Sequence, residues 1–162
     1  MTRKRFFNRH FWIGVIAGLV GAVVAFVLLG DDPPSRDEPA SYTQYVVRQT
    51  IDRYKRDGHQ ATLDYVNSAE SVDGQWYPFI INEDGYTVGH HNASFRYRDP
   101  SERVDSTGYF YGDELLGAGE DGVWVTYLLL NPDTGREQKK HTWVVLHDGL
   151  IFGSGWYEPA GS

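Results

Sequence analysis

A continuous apolar run near the N-terminus constrains the fold of this chain more than any other feature. Residues 11–29 read FWIGVIAGLVGAVVAFVLL and contain no charged side chain. A helix crosses a hydrocarbon core of roughly 30 Å with about 20 such residues. The run therefore predicts a transmembrane helix over residues 11–30, and the remainder of the 162 residues suits a single domain.

Charges on either side of the run predict its orientation. Four basic residues and no acidic residue lie within residues 1–10, whereas Asp31 and Asp32 follow the run. An excess of Lys and Arg marks the cytoplasmic side of a membrane helix. We therefore expect residues 1–10 to be a cytoplasmic tail and everything after the helix to lie outside the cell.

A cleaved signal peptide is the alternative to an anchor. The apolar region of a signal peptide is usually about 7–15 residues long and precedes a small-residue cleavage site. This run is longer, and GDDP follows it at residues 30–33, so an uncleaved anchor is favoured. Small residues at four-residue spacing, Gly14, Gly18 and Ala22, are typical of membrane helices that pair closely, which leaves a homodimer open.

Charge and the lack of cysteine exclude several functions. The net charge is −7, and the acidic excess lies beyond the basic tail, so the exported part repels nucleic acid. No Cys is present, which excludes disulfides and thiolate metal sites. We therefore expect a domain held by packing alone, with no cofactor and no nucleic acid partner.

Two helices are predicted at the start of the exported part. Residues 31–40 read DDPPSRDEPA, a polar linker in which prolines prevent a helix from continuing. Ser41 with Gln44 predicts a capping box at the start of a long helix, and Gly58 is a natural stop. A second, shorter helix is predicted over residues 60–67.

After these helices the pattern changes to strands. Aromatic and β-branched residues separated by turns such as Asp84-Gly85 and Asp148-Gly149 indicate hairpins. Helices followed by hairpins predict an α+β domain with an antiparallel sheet of five to six strands, and residues 92–106 are expected to form an irregular loop over one face. The predicted strands are residues 76–82, 86–90, 123–130, 140–147 and 150–157.

These strand segments resemble, in order, those of single Cache domains. The similarity covers about residues 41–158, and five motifs in series make it fairly specific. The motifs are WYPFI at 76–80 with Asn82, Gly85 and His90, Gly108 with the segment 112–122 and GVWVTY at 122–127, NPDTG at 131–135, KHTWV at 140–144, and GSGWY at 153–157.

The resemblance implies a PAS-like sensor module outside the cell. Cache domains of chemoreceptors, histidine kinases and cyclases bind small metabolites, and single Cache domains often bind short carboxylates. Residues 41–162 would then be one such domain, with a sheet that cups a ligand. Most members return through a second membrane helix to a cytoplasmic output domain. Here only residues 1–10 are predicted inside the cell, so we expect a separate signalling protein or a homodimer.

Seven residues are candidates for a ligand-binding pocket. A carboxylate needs a cation or neutral donors between aromatic walls. Lys140, where the family pattern has a lysine, is the candidate cation, and a solvated lysine at a strand edge is the alternative. Tyr127 and Trp143 offer donors on neighbouring strands, although Trp143 equally suits core packing. The remaining candidates are Tyr77, Phe79, His90 and Tyr109.

Metal and enzyme sites are poorly supported. His90 and His91 are adjacent, and adjacent strand residues point to opposite faces, so we expect no chelation by this pair. The sequence has no nucleophile elbow, phosphate loop or zinc-protease helix, and we expect no enzyme. The alternative to a sensor is an accessory protein of the cell envelope, which would use the same fold as a protein-binding scaffold with its pocket filled by Trp and Phe side chains.

Overall fold

The computed structural model of the protein describes residues 32–159. The predicted cytoplasmic tail and the predicted transmembrane helix over residues 11–30 lie outside the described residues. Among the residues that are described, no helix combines the length and the apolar character needed to span a bilayer. The described chain begins with a short segment without helix or strand, which leads to the first helix at Pro39.

The first helix, α1, spans Pro39–Asp57 and begins before the predicted start. Proline suits the first turn of a helix because its φ is already near the helical value and its missing N–H needs no partner there. Ser41 therefore lies inside the helix, and the predicted capping box of Ser41 with Gln44 is wrong. The residue at the cap is Glu38, whose side chain makes no capping hydrogen bond.

Gly58 ends α1 and starts α2, which spans His59–Val66. Its φ of 84° lies where L side chains are strained, so a glycine stops the helix at low cost. The predicted bounds of the second helix are confirmed to within a residue. Val47 and Ile51 of α1 pack with Val66 of α2 against one face of the sheet.

Within the described chain, five strands form one antiparallel sheet. The strands are β1 (Phe79–Ile81), β2 (Thr87–Gly89), β3 (Val123–Asn131), β4 (Arg136–His147) and β5 (Leu150–Tyr157). They lie in the order β2-β1-β5-β4-β3, so the last strand of the chain is central. The arrangement confirms the predicted α+β fold and fits a PAS-like sheet.

The first strand is shorter than the predicted segment of residues 76–82. Pro78 has no N–H to donate to a ladder. Trp76 pairs instead with Asp73 in an isolated bridge outside the sheet. The sheet pairing of this segment therefore begins only at Phe79.

The hairpin of β4 and β5 has the predicted turn. Asp148 and Gly149 both have positive φ, 52° and 75°, as a two-residue turn between twisted strands requires. The bounds of β5 are those predicted, and β4 extends further towards its start, to Arg136. This hairpin supplies the middle of the sheet on which both layers of the core are built.

The two faces of the sheet carry two separate cores. On the face covered by α1 and α2, Ile80 and Phe152 complete the core. On the opposite face the described chain places no long helix, and a second core forms between the strands and the segment of residues 92–122. The fully buried members of that second core are Phe79, Ile81, Leu115, Ala118, Val125, Tyr127, Val144 and Ile151.

The segment over this second face, residues 92–122, contains the irregular loop predicted over residues 92–106 and additional short helices. It contains two 3-10 turns, Ala93–Phe95 and Pro100–Glu102, and a five-residue helix α3, Gly112–Leu116, that the sequence did not indicate. The Asp105 carboxylate accepts the Leu128 N–H at 3.1 Å, which ties the segment to the edge strand β3. We call residues 92–122 the cover segment.

Candidate ligand-binding cavity

A cavity of about 60 Å³ lies between the sheet and the cover segment. Its walls come from β1, β2, β3 and β4 on one side and from the cover segment on the other. Described residues contribute no Asp or Glu to these walls. The lining residues are Tyr77, Phe79, Ile81, Thr87, His90, Phe95, Arg103, Tyr111, Leu115, Tyr127, Leu129 and Lys140.

Two larger depressions lie elsewhere, about 300 Å³ between α1 and residues 65–76 and about 450 Å³ beside α1 and the end of β4. Acidic side chains line both of them, Glu70 and Asp73 in the first and Asp52 and Glu120 in the second. The smaller cavity is the better candidate site because its described wall has two basic side chains, Lys140 and Arg103, and no Asp or Glu.

Lys140 is the most deeply buried charged side chain of this cavity, with 2% of its surface exposed. Its Nζ donates a hydrogen bond to the Tyr77 hydroxyl at 2.6 Å and lies 4.2 Å from the centre of that ring. Gly155 makes room for it, since a Cβ there would lie 2.7 Å from the Lys140 Cε. Burial lowers the pKa of Lys140, and the nearby Tyr157 partly offsets that effect.

Arg103 brings a second cation to the cavity from the cover segment. Its Nη2 donates to the Gly85 carbonyl at 2.7 Å and to the Thr87 hydroxyl at 3.1 Å. Its Nη1 is buried without a hydrogen-bond partner. A buried donor without an acceptor costs about 1–3 kcal/mol, and more when it is charged. Arg103 therefore lines the cavity with a guanidinium that has one buried, unpaired donor.

Tyrosines form the polar part of the wall between these cations. The Tyr127 hydroxyl accepts a hydrogen bond from Thr142 at 3.0 Å, and its ring lies flat against that of Tyr111 at 3.8 Å. Burial raises the pKa of Tyr127 well above its usual value, so the hydroxyl stays neutral. The hydroxyls of Tyr77 and Tyr157 are 3.3 Å apart.

His90 adds a neutral ring to the same wall. Its Nδ1 accepts the Asn92 N–H at 3.0 Å. Burial first, and then the neighbouring His91 and Lys140, lower the pKa of His90 to about 3. Near neutral pH the ring is therefore uncharged and adds no positive charge to the cavity.

The expectation that His90 and His91 point to opposite faces is wrong. Their rings stack at 4.6 Å, because β2 ends at Gly89 and the two residues follow the strand rather than continue it. Within residues 32–159, no group of three or more His, Asp or Glu side chains is placed to hold a metal ion.

The structure brings five of the seven candidate residues together at the cavity. Tyr109 packs against the same core without lining the cavity. Trp143 lies on the opposite face, where it packs with the α1 core and contacts Trp124 at 5.2 Å. The five at the cavity are Tyr77, Phe79, His90, Tyr127 and Lys140.

Sequence reasoning missed Arg103, a polar side chain that the cover segment contributes to the cavity beside Tyr111. Residues 92–106 are predicted only as an irregular loop over one face, because nothing in their local pattern shows which side chains turn inward. A weak signal was present: Gly112, where a Cβ would lie 3.1 Å from the Arg103 Cβ, marks a close approach of the cover segment to itself.

Solved structures with the same fold are chemosensory domains. The chain is similar to a methyl-accepting chemotaxis protein from Vibrio parahaemolyticus, with a TM-score of 0.64 and 16% identity over 75% of this chain and 90% of that one. It is similar to a periplasmic sensor domain of a chemotaxis protein, with a TM-score of 0.56 and 23% identity over 72% and 88%. A Cache chemosensory domain, described for carboxylic acid recognition, gives a TM-score of 0.60 and 19% identity over 76% and 96%.

These comparisons define the class of fold. No protein-family model and no curated protein sequence matches the chain. The identities of 16–23% establish the fold alone, and they confirm the resemblance to Cache sensor domains at that level. The neighbours are sensor domains rather than enzymes, in agreement with the expectation drawn from the sequence.

Proposed function

We propose that this chain is an extracytoplasmic sensor domain that binds a short monocarboxylate in the cavity between its sheet and the cover segment. In this proposal residues 11–29 anchor the domain in the cell membrane with its N-terminus in the cytoplasm. The bound state is communicated to a separate signalling protein or through a homodimer. The domain turns over no substrate.

The observation that carries the proposal is a pair of cations without an anion. Lys140 and Arg103 both line the cavity, and no carboxylate of residues 32–159 lies within ion-pair distance of either. Unpaired charges are costly to bury, and hydrogen bonds from cations to a carboxylate are among the strongest in proteins. A bound carboxylate would supply the missing partner to both groups.

Size and polarity restrict that carboxylate to a small one with a single charge. A cavity of about 60 Å³ admits only a few non-hydrogen atoms. Ile81, Leu115 and Leu129 form an apolar part of the wall that suits a methyl or ethyl group. A second carboxylate placed there would be buried without a partner. Acetate and propionate fit these requirements better than dicarboxylates do.

The neighbours support the same interpretation. One of them is described for carboxylic acid recognition, and another is a periplasmic sensor domain. The scaffold alternative expects a pocket filled by Trp and Phe side chains. Phe79 and Phe95 line the cavity, Trp76 and Trp143 do not, and the described cavity keeps a free volume of about 60 Å³.

A thermal-shift comparison of propionate with propionamide tests the proposal on the full-length chain. The two differ in charge and little in shape, so only propionate should raise the melting temperature. A ligand at about 100 times its Kd adds about 2.7 kcal/mol to the free energy of unfolding. Lys140→Met should abolish the response, whereas the control Lys139→Met, at a neighbouring residue whose side chain is 50% exposed, should retain it.

Two outcomes would contradict the proposal. Equal responses to propionate and propionamide would show that charge is not recognised. A flat response to acetate, propionate and butyrate at millimolar concentrations would remove the carboxylate site and favour the scaffold alternative.

A further inference from the structure

Lys140 is placed more like a reactive amine than like a simple anion-binding group. Its Nζ contacts the Tyr77 hydroxyl at 2.6 Å, and that hydroxyl lies 3.3 Å from the Tyr157 hydroxyl. Tyr157 in turn donates to the Leu130 carbonyl at 3.4 Å. The amine therefore begins a chain of two neutral hydroxyls that ends on a backbone acceptor.

Burial makes the uncharged amine of Lys140 more accessible than that of an exposed lysine. The rings of Tyr77 and Tyr157 enclose the Nζ, with ring centres at 4.2 Å and 4.9 Å, and they also attract its ammonium form, which is the form that binds a carboxylate. Burial disfavours the ammonium ion and lowers the pKa of Lys140, and no carboxylate of the described chain pairs with it. A desolvated lysine of this kind is a better nucleophile at neutral pH than an exposed one.

We infer that Lys140 condenses reversibly with a short 2-oxo carboxylate, such as glyoxylate or pyruvate, to form an imine inside the cavity, while the unused Arg103 Nη1 holds the ligand carboxylate. This inference deepens the proposed function and rests on it, because it uses the same anion site. It adds a covalent bond to a ligand class that carries a carbonyl next to its carboxylate.

The step balances without any further reagent. The lone pair of the neutral Nζ forms a C–N bond to the carbonyl carbon as the C=O π bond breaks, and one of the two Nζ protons passes to the oxygen to give a neutral carbinolamine. The one remaining N–H proton and the hydroxyl then leave together as one water, which leaves a C=N bond. No electrons are gained or lost, and water reverses the reaction.

Tyr77 is the positioning residue for this proton movement. Its hydroxyl already contacts the Nζ, so it can accept a proton from nitrogen and return one to the departing hydroxyl, with Tyr157 as the next member of the chain. The apolar walls limit the access of water that would hydrolyse the imine. Lys139, the preceding residue in the sequence, has neither feature, because its Nζ pairs with Glu158 at 3.2 Å.

Reductive trapping on the full-length chain tests the inference. Glyoxylate with sodium cyanoborohydride converts an imine to a stable secondary amine, and peptide mass spectrometry locates it. We expect Lys140 to be modified at least about tenfold faster than Lys139 or Lys55, as for a desolvated lysine. Excess propionate should suppress the modification at Lys140 only. Tyr77→Phe should slow trapping and shift its pH profile.

The outcomes separate the two proposals. If propionate raises the melting temperature but Lys140 is modified no faster than Lys139, the imine is overturned and the carboxylate site stands. If Lys140 is trapped selectively and propionate neither shifts the melting temperature nor competes, the amine is reactive but the proposed carboxylate site fails. Trapping at Lys140 that is identical with formaldehyde and glyoxylate would overturn the role given to Arg103.

Discussion

At the scale of single residues, His90 links the stability of the domain to pH. Its pKa is lowered from 6.5 to about 3, mainly by burial, so the folded state holds the ring neutral while the unfolded chain takes up a proton below pH 6.5. Because the histidine pKa is depressed on folding, the stability that the neutral His90 ring contributes is fully present above pH 6.5. It is lost as the pH falls towards 3. Each pKa unit corresponds to about 1.4 kcal/mol.

The variant His90→Asn should remove this part of the pH dependence. The Asn side chain offers an acceptor for the Asn92 N–H without a group that titrates in this range. Between pH 7 and pH 4, the free energy of unfolding, measured with denaturant, should fall by several kcal/mol more for the wild type than for the variant. The difference should grow by about 1.4 kcal/mol for each pH unit below 6.5. Parallel pH profiles for the two proteins would show that His90 does not stay neutral on folding.

The residues of the cavity could be predicted from sequence only where strand alternation applies. Tyr77 and Phe79 share one face, and they lie together in the structure as that spacing requires. The same rule separates Lys140 from Trp143, three positions apart on one strand, and the structure puts them on opposite faces. Arg103 could not be predicted as a cavity residue, because its inward direction depends on long-range contacts to Gly85 and Thr87.

At the scale of secondary structure, α3 is the element whose packing should determine whether the cavity wall forms. Leu115, which is 3% exposed, holds this helix on the second core and lines the cavity, whereas the next residue, Leu116, is 39% exposed. Leu115→Ala should lower the free energy of unfolding by about 2–4 kcal/mol, because it leaves a cavity in a packed site. Leu116→Ala is the matched control and should cost less than about 0.5 kcal/mol.

Propionate binding should also differ between Leu115→Ala and Leu116→Ala. With α3 loosened, the cover segment no longer fixes Arg103 and Tyr111 at the cavity, so Leu115→Ala should weaken the propionate thermal shift while Leu116→Ala keeps it. Isothermal titration at a temperature where both variants are folded separates lost binding from lost stability. Equal affinities for the two variants would show that α3 does not form a working wall.

Helix and strand bounds were predicted best where the hydrophobic pattern of an element and the turn residues beside it indicate the same end point. β5 has the predicted bounds because it begins directly after the two-residue turn of Asp148 and Gly149, both at positive φ. β1 is shorter than its hydrophobic run, because the ladder cannot use Pro78. The short helix α3 carried no signal, since five residues are too few for a periodic pattern. Local sequence therefore specifies the sheet, and long-range packing specifies the cover segment.

At the scale of the whole domain, a continuous series of contacts joins the cavity to the start of α1. Tyr77 contacts Lys140 in the cavity, and the preceding residue, Trp76, faces the helix. The Trp76 Nε1 donates to the Thr43 hydroxyl at 3.1 Å, and its ring meets the edge of the Tyr42 ring at 4.8 Å. A change at Tyr77 on ligand binding thus bears directly on the first turns of α1.

The series continues to the linker in front of α1. Asp73, which pairs with Trp76 in the isolated bridge, accepts two hydrogen bonds from Arg36 at 2.6 and 2.7 Å and one from the Tyr42 hydroxyl. Arg36 belongs to residues 31–40, the predicted linker to the membrane anchor. Hydrogen bonds from Arg36 and Tyr42 lower the pKa of Asp73, so the carboxylate stays charged and keeps this contact near neutral pH.

The variant Asp73→Asn should uncouple the linker from the cavity. Amide hydrogen exchange of residues 33–45 in the wild type should slow at least about twofold when propionate orders Tyr77 and Trp76, since exchange reports local opening. Asp73→Asn removes the charge that holds Arg36, so the same segment should exchange at one rate with and without ligand, while propionate affinity stays within a factor of about two. Asp52→Asn is the control, because it removes only an exposed contact to Lys55 at 3.7 Å and should behave like the wild type. A ligand response of the same size in Asp73→Asn and wild type would mean that the cavity does not communicate with the linker through this contact.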